Sequence, residues 1–297
     1  MPATRPCAPS GEGAPGPWAG MRAAAALATA LGPDGRTVLR RVASAPPLTL
    51  RQTGPHTVHL VSTAAGPLGG DRLWLDLDVA PRTTLELASV ASTLVLPGTG
   101  ESELLVTARV GAGARLRFVP EPTVLAAGCA HRLVVRLELE PEASVLWREE
   151  IVLGRHGERP GRCRTRFDAT LAGRPLLRQE LTLGDPGLDA SPAVLDGARC
   201  LGTTFLTATA KEPLVSDGLA VLPLAASGTV VSALAADAVE LRSRLERGER
   251  AASGDAEGAA MPGDGERGES GDPERAMSGD GDDTVAGRGR GARPGIP

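Results

Sequence analysis

Three groups of residues in this sequence have types and spacings that could bind a cation or move a proton. The first is the acidic residue of Gly69-Gly70-Asp71, at the start of a strongly alternating segment. Paired glycines let the backbone reach positive φ and approach another segment closely, so Asp71 is expected at a strand entrance. From the residues alone, the favoured interpretation is a turn carboxylate that accepts backbone N–H groups.

The second group consists of carboxylates in the middle of the chain: Glu121, Glu149, Glu150 and Glu158. Glu149 and Glu150 are adjacent in a predicted strand, so their side chains point to opposite faces. Only one of them can line a given cavity, and the other is expected in solvent. Asp71 and Glu121 could instead be the acid and base of a glycoside hydrolase, a reaction whose carboxylate spacing is spatial and cannot be read from a sequence.

A cysteine and a histidine two residues apart, Cys129 and His131, form the third group. On a strand, positions i and i+2 share a face, so this pair could offer two ligands to a borderline metal such as nickel. A cysteine on a β face is also common core filler. The sequence has no Gly-x-Ser-x-Gly elbow, His-Glu-x-x-His pair or Walker loop, which lowers the expectation of an enzyme.

The elements that must position these residues are β-strands with one buried face. Apolar residues occupy every second position in residues 73–79, 104–110 and 133–139, the period of a half-buried strand. Similar turns begin at Val79, Val110 and Leu139, about 30 residues apart. This repeat predicts an all-β, β-helical or solenoid-like chain of stacked sheets with a few helices. An ordinary β-sandwich is the alternative.

The ends of the chain differ from its middle. Residues 1–20 are rich in Pro and Gly and are predicted to form a disordered leader, and residues 21–250 the folded β domain. Residues 251–297 hold 12 Gly and 10 Asp or Glu against 5 Arg, which predicts a disordered acidic tail because so little apolar surface can be buried. One helix is predicted, from Leu234 to Glu246, with Gly248 as its stop.

Composition limits the partners and the compartment. The net charge of −4 argues against a nucleic-acid partner, since counterion release requires a concentrated basic face. Aromatic residues make up 2% of the chain and Tyr is absent, so Leu, Val and Ala must fill most of the core. No apolar run approaches the ~20 residues of a membrane span. The widely spaced cysteines indicate reduced thiols and a cytoplasmic protein.

Five motifs follow one another between Arg22 and Arg247 and together resemble the UreD (UreH) family of urease accessory proteins. The motifs are Gly66-Pro-Leu-Gly-Gly-Asp71-Arg-Leu with Ala80-Pro-Arg-Thr-Thr-Leu-Glu-Leu and Ser89-Val-Ala-Ser-Thr-Leu; Val119-Pro-Glu-Pro-Thr-Val124; Arg148-Glu-Glu-Ile-Val-Leu-Gly-Arg155 with Gly157-Glu158; Arg174-Pro-Leu-Leu-Arg-Gln-Glu-Leu181; and Gly197-Ala-Arg-Cys-Leu-Gly-Thr203. The chain departs from the family in its few aromatics, in its acidic tail, and at Gln179, where related chains can carry an acid.

The resemblance implies a non-enzymatic chaperone on a β-helical scaffold. Such a protein binds UreF and, through it, the nickel-carrying GTPase UreG, and docks with them on apo-urease, in an assembly compatible with a dimer of heterocomplexes. It holds no permanent cofactor, and nickel passes through it along carboxylates. By similarity Asp71 is the first candidate for this route and Glu149 the second, followed by Glu150, Glu158 and Glu121. The alternatives are a β-solenoid polysaccharide hydrolase or lyase, and a plain binding module without a metal role.

Overall fold

The structure, a computed structural model, describes residues 20–254. The predicted leader before residue 20 and the predicted tail from residue 255 onward lie outside the described residues. The strands are β1 (Arg22–Leu31), β2 (Thr37–Ala43), β3 (Leu48–Gln52), β4 (Thr57–Ser62), β5 (Arg72–Val79), β6 (Thr84–Ser89), β7 (Thr93–Val95), β8 (Ser102–Val110), β9 (Arg115–Val119), β10 (Thr123–Leu125), β11 (Ala130–Leu139), β12 (Ser144–Leu153), β13 (Arg162–Leu171), β14 (Arg174–Leu183), β15 (Cys200–Leu206), β16 (Leu214–Ser216), β17 (Leu219–Pro223) and β18 (Thr229–Ala235). The helices are α1 (Pro186–Asp189) and α2 (Ala238–Ser253).

The strands form two stacked sheets, as the alternating pattern predicts. Sheet 1 has the order β14-β13-β11-β8-β5-β1-β2, and the main path of sheet 2 is β16-β17-β18-β15-β12-β9-β6-β4-β3. The short strands β7 and β10 pair with one another, and β10 also pairs with β12. The chain alternates between the sheets from β5 to β13, so successive coils stack as in a β-helix.

The repeat of about 30 residues seen in the sequence is the pitch of this coil. Val79 pairs with Val110, Val110 with Leu139, and Leu139 with Leu171, all in parallel register in sheet 1. The three similar turns therefore lie one above another at the same edge of the sheet. Each coil buries its apolar face against the next, which is why a single copy of the pattern would not be stable alone.

The core lies between the two sheets and is filled chiefly by Leu, Val and Ala. Its few aromatic residues are concentrated in one place: Phe118 stacks on Trp147 with ring centroids 3.9 Å apart, and Phe167 lies between Trp147 and Phe205 at 6.1 and 5.8 Å. Phe118 and Phe167 thus contact Trp147, and Phe205 joins the cluster through Phe167. Aromatic pairs of this kind add about 0.5–1.5 kcal/mol beyond their buried area.

The predicted helix from Leu234 to Glu246 is wrong in its bounds. Leu234 belongs to β18, and α2 runs from Ala238 to Ser253, with Asp237 as its N-cap. Gly248 does not end the helix; it is buried inside it, where a Cβ would overlap Val231 of the underlying sheet. The glycine is there for close packing, and residues 251–253, assigned to the tail, are helical.

Helix α2 covers the outer face of sheet 2, over β12, β15, β17 and β18. Its apolar side forms a second core with the outward-facing residues of those strands, including Leu241, Leu245 and Val231. The middle of sheet 2 is therefore covered on both faces. Neither helix among residues 20–254 has the length and apolar character needed to cross a bilayer.

Candidate functional site

The two adjacent glutamates of β12 point to opposite faces, as predicted, but neither is in open solvent. Glu149 faces the space between the sheets, and Glu150 faces α2 with a side chain that is 0% exposed. The expectation that one of them would be in solvent is wrong because α2 covers the outer face of this strand. That packing depends on contacts about 100 residues apart in sequence, such as Arg148 with Glu249.

Glu149 has a sparse set of polar neighbours. The Nε1–H group of Trp147 donates to its Oε1 at 3.2 Å, and among the described residues this is its hydrogen-bonded side-chain partner. Burial raises the pKa of Glu149 to about 7, and the Trp147 hydrogen bond acts weakly in the other direction. A carboxyl group at this value exchanges its proton near neutral pH, as groups at functional sites often do.

Two small cavities meet at Glu149. One, of about 30 Å³, is lined by Glu149, Gln179 and Thr165 among apolar residues, and the other, of about 60 Å³, by Glu149, His131, Glu121 and Glu150. The expectation that only one of the two adjacent glutamates can line a given cavity is therefore wrong, since both line the larger one. A space of this size holds one or a few water-sized groups. The carboxyl group of Glu149 therefore stands where a small cation or water between the sheets would contact it.

Gln179, and not its neighbour Glu180, shares the smaller cavity with Glu149. Gln179 lies on β14 and lines the smaller cavity with Glu149. Glu180, the next residue, points to the opposite face, where its carboxylate lies 3.9 Å from Arg166 and its side chain is 63% exposed. Glu180 therefore does not replace the acid that related chains can carry at position 179. The amide of Gln179 is the polar group that this chain offers there.

Glu150 belongs to a buried ion network under α2. Arg242 lies 3.3 Å from Glu150 and 3.0 Å from Glu121. Arg148 lies 3.6 Å from Glu150 and forms a bidentate pair with Glu249, at 2.8 Å from Nε and 2.5 Å from Nη2. Burial raises the pKa of Glu150, and the two arginines act against that rise.

Asp71 is committed to the backbone. Its Oδ1 accepts the N–H group of Met21 and its Oδ2 that of Leu68, both at 2.8 Å, and it is 2% exposed. This geometry is that of the turn carboxylate that the residues alone favour. Asp71 lies at the start of β5, holding the entry of β1 beside it. It does not share a cavity with Glu121, as an acid and base pair would require.

Glu158 lies in the loop after β12 and pairs with Arg155, which donates to it from Nε at 2.8 Å. The N–H group of Ala127 also donates to it, at 3.2 Å. The Arg155 hydrogen bond lowers the pKa of Glu158 to about 2. This glutamate is therefore a loop anchor, separate from the cavities at Glu149.

The predicted Cys129 and His131 pair is rearranged by the fold. Both residues are 2% exposed, but Cys129 precedes β11, and the residue paired with His131 across the ladder is Cys163 of β13. Burial raises the pKa of both thiols, to about 11 for Cys129 and about 12 for Cys163, and lowers that of His131 to about 4. Residues 20–254 contain no cluster of three His, Cys, Asp or Glu close enough to enclose a metal.

Between residues 20 and 254 the protein is a coil of stacked strands, as in a β-helix, and the space between its sheets holds the carboxyl group of Glu149 beside the indole N–H group of Trp147. The model of the family described as UreD urease accessory protein matches residues 21–262. The chain therefore belongs to the UreD family, which gives it a role in urease maturation.

Individual relatives agree with this assignment. The chain is 41% identical over 231 residues to urease accessory protein UreD 1 of Saccharopolyspora erythraea, covering 74% of this chain and 91% of that protein. It is 42% identical over 259 residues to the UreD of a Parafrankia species, covering 76% and 87%. The UreD of Streptomyces coelicolor is 35% identical over 241 residues, covering 76% and 95%.

Proposed function

We propose that this chain is a non-enzymatic urease maturation factor that links UreF and UreG to apo-urease and passes nickel through the space between its sheets. The observation that carries the nickel step is the carboxyl group of Glu149, which faces two internal cavities and has a single indole N–H as hydrogen-bonded side-chain partner in residues 20–254. A conduit requires a ligand that is not already neutralised by an arginine.

The chemistry of Glu149 suits transfer better than storage. A carboxylate is a hard oxygen ligand that binds a borderline dication weakly compared with thiolates. Because its pKa lies near 7, a proton competes with the cation at neutral pH, and the cation is released readily. Gln179 adds an amide group to the same cavity. Nickel is cargo in this proposal, and no resident cofactor takes part.

The other predicted route residues support the fold around Glu149. Glu121 and Glu150 line the larger cavity from the side of α2 but are held by Arg242. Asp71 and Glu158 hold backbone N–H groups at strand entrances and loops. In the proposal these four position the walls, and Glu149 contacts the cation.

The partners and the compartment belong to the same proposal. The relatives are named urease accessory proteins, and the assembly with UreF, UreG and apo-urease is the way in which a chain of this family would meet its client. The buried thiols of Cys129, Cys163 and Cys200 are unpaired, which suits the reducing cytoplasm.

The test is urease activation with Glu149→Gln, which keeps the shape and removes the charge. Expressed with the urease subunits and the other accessory proteins, the variant is expected to lower urease nickel content by about tenfold or more, the loss typical of a ligand environment disturbed at a metal site. Co-purification with UreF should be unchanged. Glu138→Gln, at an exposed acid paired with Arg109, is the matched control.

Each outcome decides something. Full nickel loading by Glu149→Gln would show that the cation does not pass Glu149. Full loading together with unchanged UreF association is the result that a plain adaptor predicts, whereas loss of both would mean that the substitution had altered the fold. A clean failure of the wild-type chain to associate with UreF would count against the scaffold role itself.

The geometry does not support the alternative of a polysaccharide hydrolase or lyase. Sugar-binding clefts depend on accessible aromatic platforms, whereas Trp147 and the three Phe are buried between the sheets. Asp71 and Glu121 are also committed to different partners. Release of reducing ends from glycans by the purified chain would revive this alternative.

A further inference from the structure

A row of small polar side chains crosses the inner face of sheet 1 at the edge where the strands begin. Ser102 of β8, His131 of β11 and Cys163 of β13 are consecutive partners in the parallel ladder. They are 0%, 2% and 2% exposed. Adjacent strands lie about 4.8 Å apart, so the imidazole and the thiol are direct neighbours on one face.

The imidazole has one occupied and one open nitrogen. Ser102 Oγ lies 2.9 Å from His131 Nδ1 and 3.3 Å from the carbonyl oxygen of Ala130. When the hydroxyl donates to that carbonyl, it accepts from Nδ1–H, and Nε2 carries a free lone pair. The hydrogen bond that the ring of His131 makes within residues 20–254 is at Nδ1. Metal-binding histidines have this arrangement, with a hydrogen bond at one ring nitrogen and a lone pair at the other.

His131 stands at the boundary of two spaces. One is an open basin of about 780 Å³ at the strand edge, whose lining includes His131, Cys163 and Asp185, together with Glu101 paired at 3.2 Å with Arg164, and Arg162. The other is the larger of the two internal cavities, which reaches Glu149. A cation bound at His131 would thus be reached from solvent on one side and would face the interior on the other.

We propose that His131 Nε2 and Cys163 Sγ form a binding site for a divalent first-row transition-metal cation at the wall between the basin and the inter-sheet cavity. Imidazole and thiolate select such cations over Mg²⁺ and Ca²⁺, which prefer oxygen. As the bond from Sγ to the metal forms, the thiol proton leaves to solvent. Two protein ligands leave the remaining positions to water, which gives exchangeable rather than structural binding.

Binding at this site can be measured on the isolated chain, so its outcome does not depend on the nickel delivery proposed above. It also replaces the pair suggested by sequence spacing. Cys129 is close to His131 along the chain, but Cys163 is its partner across the ladder. The two pairings predict different cysteine ligands, which makes them separable by mutation.

The experiment uses the purified full-length chain with Co²⁺ as probe, in a Cys7→Ser background so that this cysteine, which lies outside the described residues, cannot contribute. Co²⁺ bound to a thiolate gives a charge-transfer band in the near ultraviolet. We expect the band in the parent, its loss in Cys163→Ser, and at least about tenfold weaker Co²⁺ binding in His131→Asn. Cys200→Ser is the matched control, a buried thiol on β15 away from the basin, and should keep the band.

A second measurement guards against misfolding of a variant. In the parent protein, Co²⁺ should slow alkylation of Cys163, identified by peptide mass, and leave Cys200 unaffected, while Mg²⁺ should protect neither. The site is wrong if the band persists in Cys163→Ser, if it depends on Cys129 instead, or if Co²⁺ gives no protection. A chain that passes these tests but fails to load urease would contradict the delivery role and leave this site standing.

Discussion

The two faces of β12 place neighbouring glutamates in opposite electrostatic surroundings. On the face covered by α2, Glu150 lies among Arg148 and Arg242. On the face between the sheets, Glu149 has the indole N–H group of Trp147 as its hydrogen-bonded side-chain partner, and the walls of the smaller cavity combine apolar residues with uncharged polar ones such as Gln179. The residues have the same chemistry and are adjacent in sequence, and what separates them is the layer packed on each side.

Glu150 therefore has the surroundings of a structural residue, and Glu149 those of a functional one. A buried carboxylate paired with arginines cannot lose a partner without leaving an uncompensated charge, so it is fixed in place. A carboxyl group held away from water without a cation beside it is unfavourable when ionised, and groups with pKa values shifted in this way cluster at functional sites. The α2 face should therefore dominate stability, and the inter-sheet face should respond to pH and cations.

The largest effect should come from breaking the network on the α2 face. Arg148→Met is expected to lower the free energy of unfolding by about 3–5 kcal/mol, because Glu249 and Glu150 would stay buried without this partner. Urea denaturation measures it. Arg109→Met, at the exposed pair with Glu138, is the control and should lose less than about 1 kcal/mol. Similar losses in both variants would mean that burial of the network contributes nothing.

Replacing Glu149, on the inter-sheet face of β12, should change the free energy of unfolding by an amount that depends on pH. The pKa of Glu149 is about 7 in the folded chain and about 4.3 when unfolded. The protonated form is favoured by folding, so its contribution to stability is complete below about pH 4.3 and is lost as the pH rises through about 7. Glu149→Gln should therefore gain on the wild type by about 2–3 kcal/mol between about pH 5 and pH 8.

Denaturation of both proteins across this range tests the prediction. Other groups titrate equally in the two chains, so the difference between their free energies of unfolding isolates Glu149. A difference that does not change with pH would show that Glu149 is hydrated or paired, and the contrast between the two faces of β12 would disappear.

Much of the fold could be predicted from local pattern. The alternation in residues 73–79, 104–110 and 133–139 is confirmed as β5, β8 and β11, and the turns at Val79 and Val110 stack as the repeat predicts. Alternation with period two and a fixed repeat length survive in sequence because every coil must satisfy them. The bounds of α2 cannot be predicted in this way. In the sequence Gly248 indicates the end of a helix, and only the three-dimensional structure shows that it allows close packing against the sheet.

The surroundings of the candidate site residues could be predicted less well from the sequence than the strands. The opposite orientation of Glu149 and Glu150 follows from strand geometry, but the cover over Glu150 depends on a helix about 90 residues away, through Arg242. The partner of His131 likewise lies one coil further on. The repeat contains only an approximate signal here, since adding about 30 residues to position 131 leads to the neighbourhood of Cys163 but not to that residue, which the ladder pairs with His131.

A smaller effect should follow from filling the closest contact between α2 and its sheet. Gly248→Ala gains about 1 kcal/mol of helix propensity, but the new methyl group would overlap Val231, and overpacking a core costs typically 1–3 kcal/mol. We expect a net loss of about 1 kcal/mol by urea denaturation. Arg247→Ala, at the exposed neighbouring position, is the control and should be near neutral. A stabilised Gly248→Ala would mean that the helix sits loosely and that ion pairs alone hold it.

The smallest effect concerns the end of the same helix. Asp237 accepts the N–H groups of Val239 and Glu240, each at 2.9 Å, and replacing such a cap by Ala typically costs about 1 kcal/mol. Asp237→Ala should lose about that amount in urea and leave urease loading unchanged, since it contacts neither face of β12 at Glu149 or Glu150. If its loss equalled that of Arg148→Met, α2 would be held by its end and not by its buried charges. The ion pairs between β12 and α2 would then form because the helix docks on the sheet, and they would not be what holds it there.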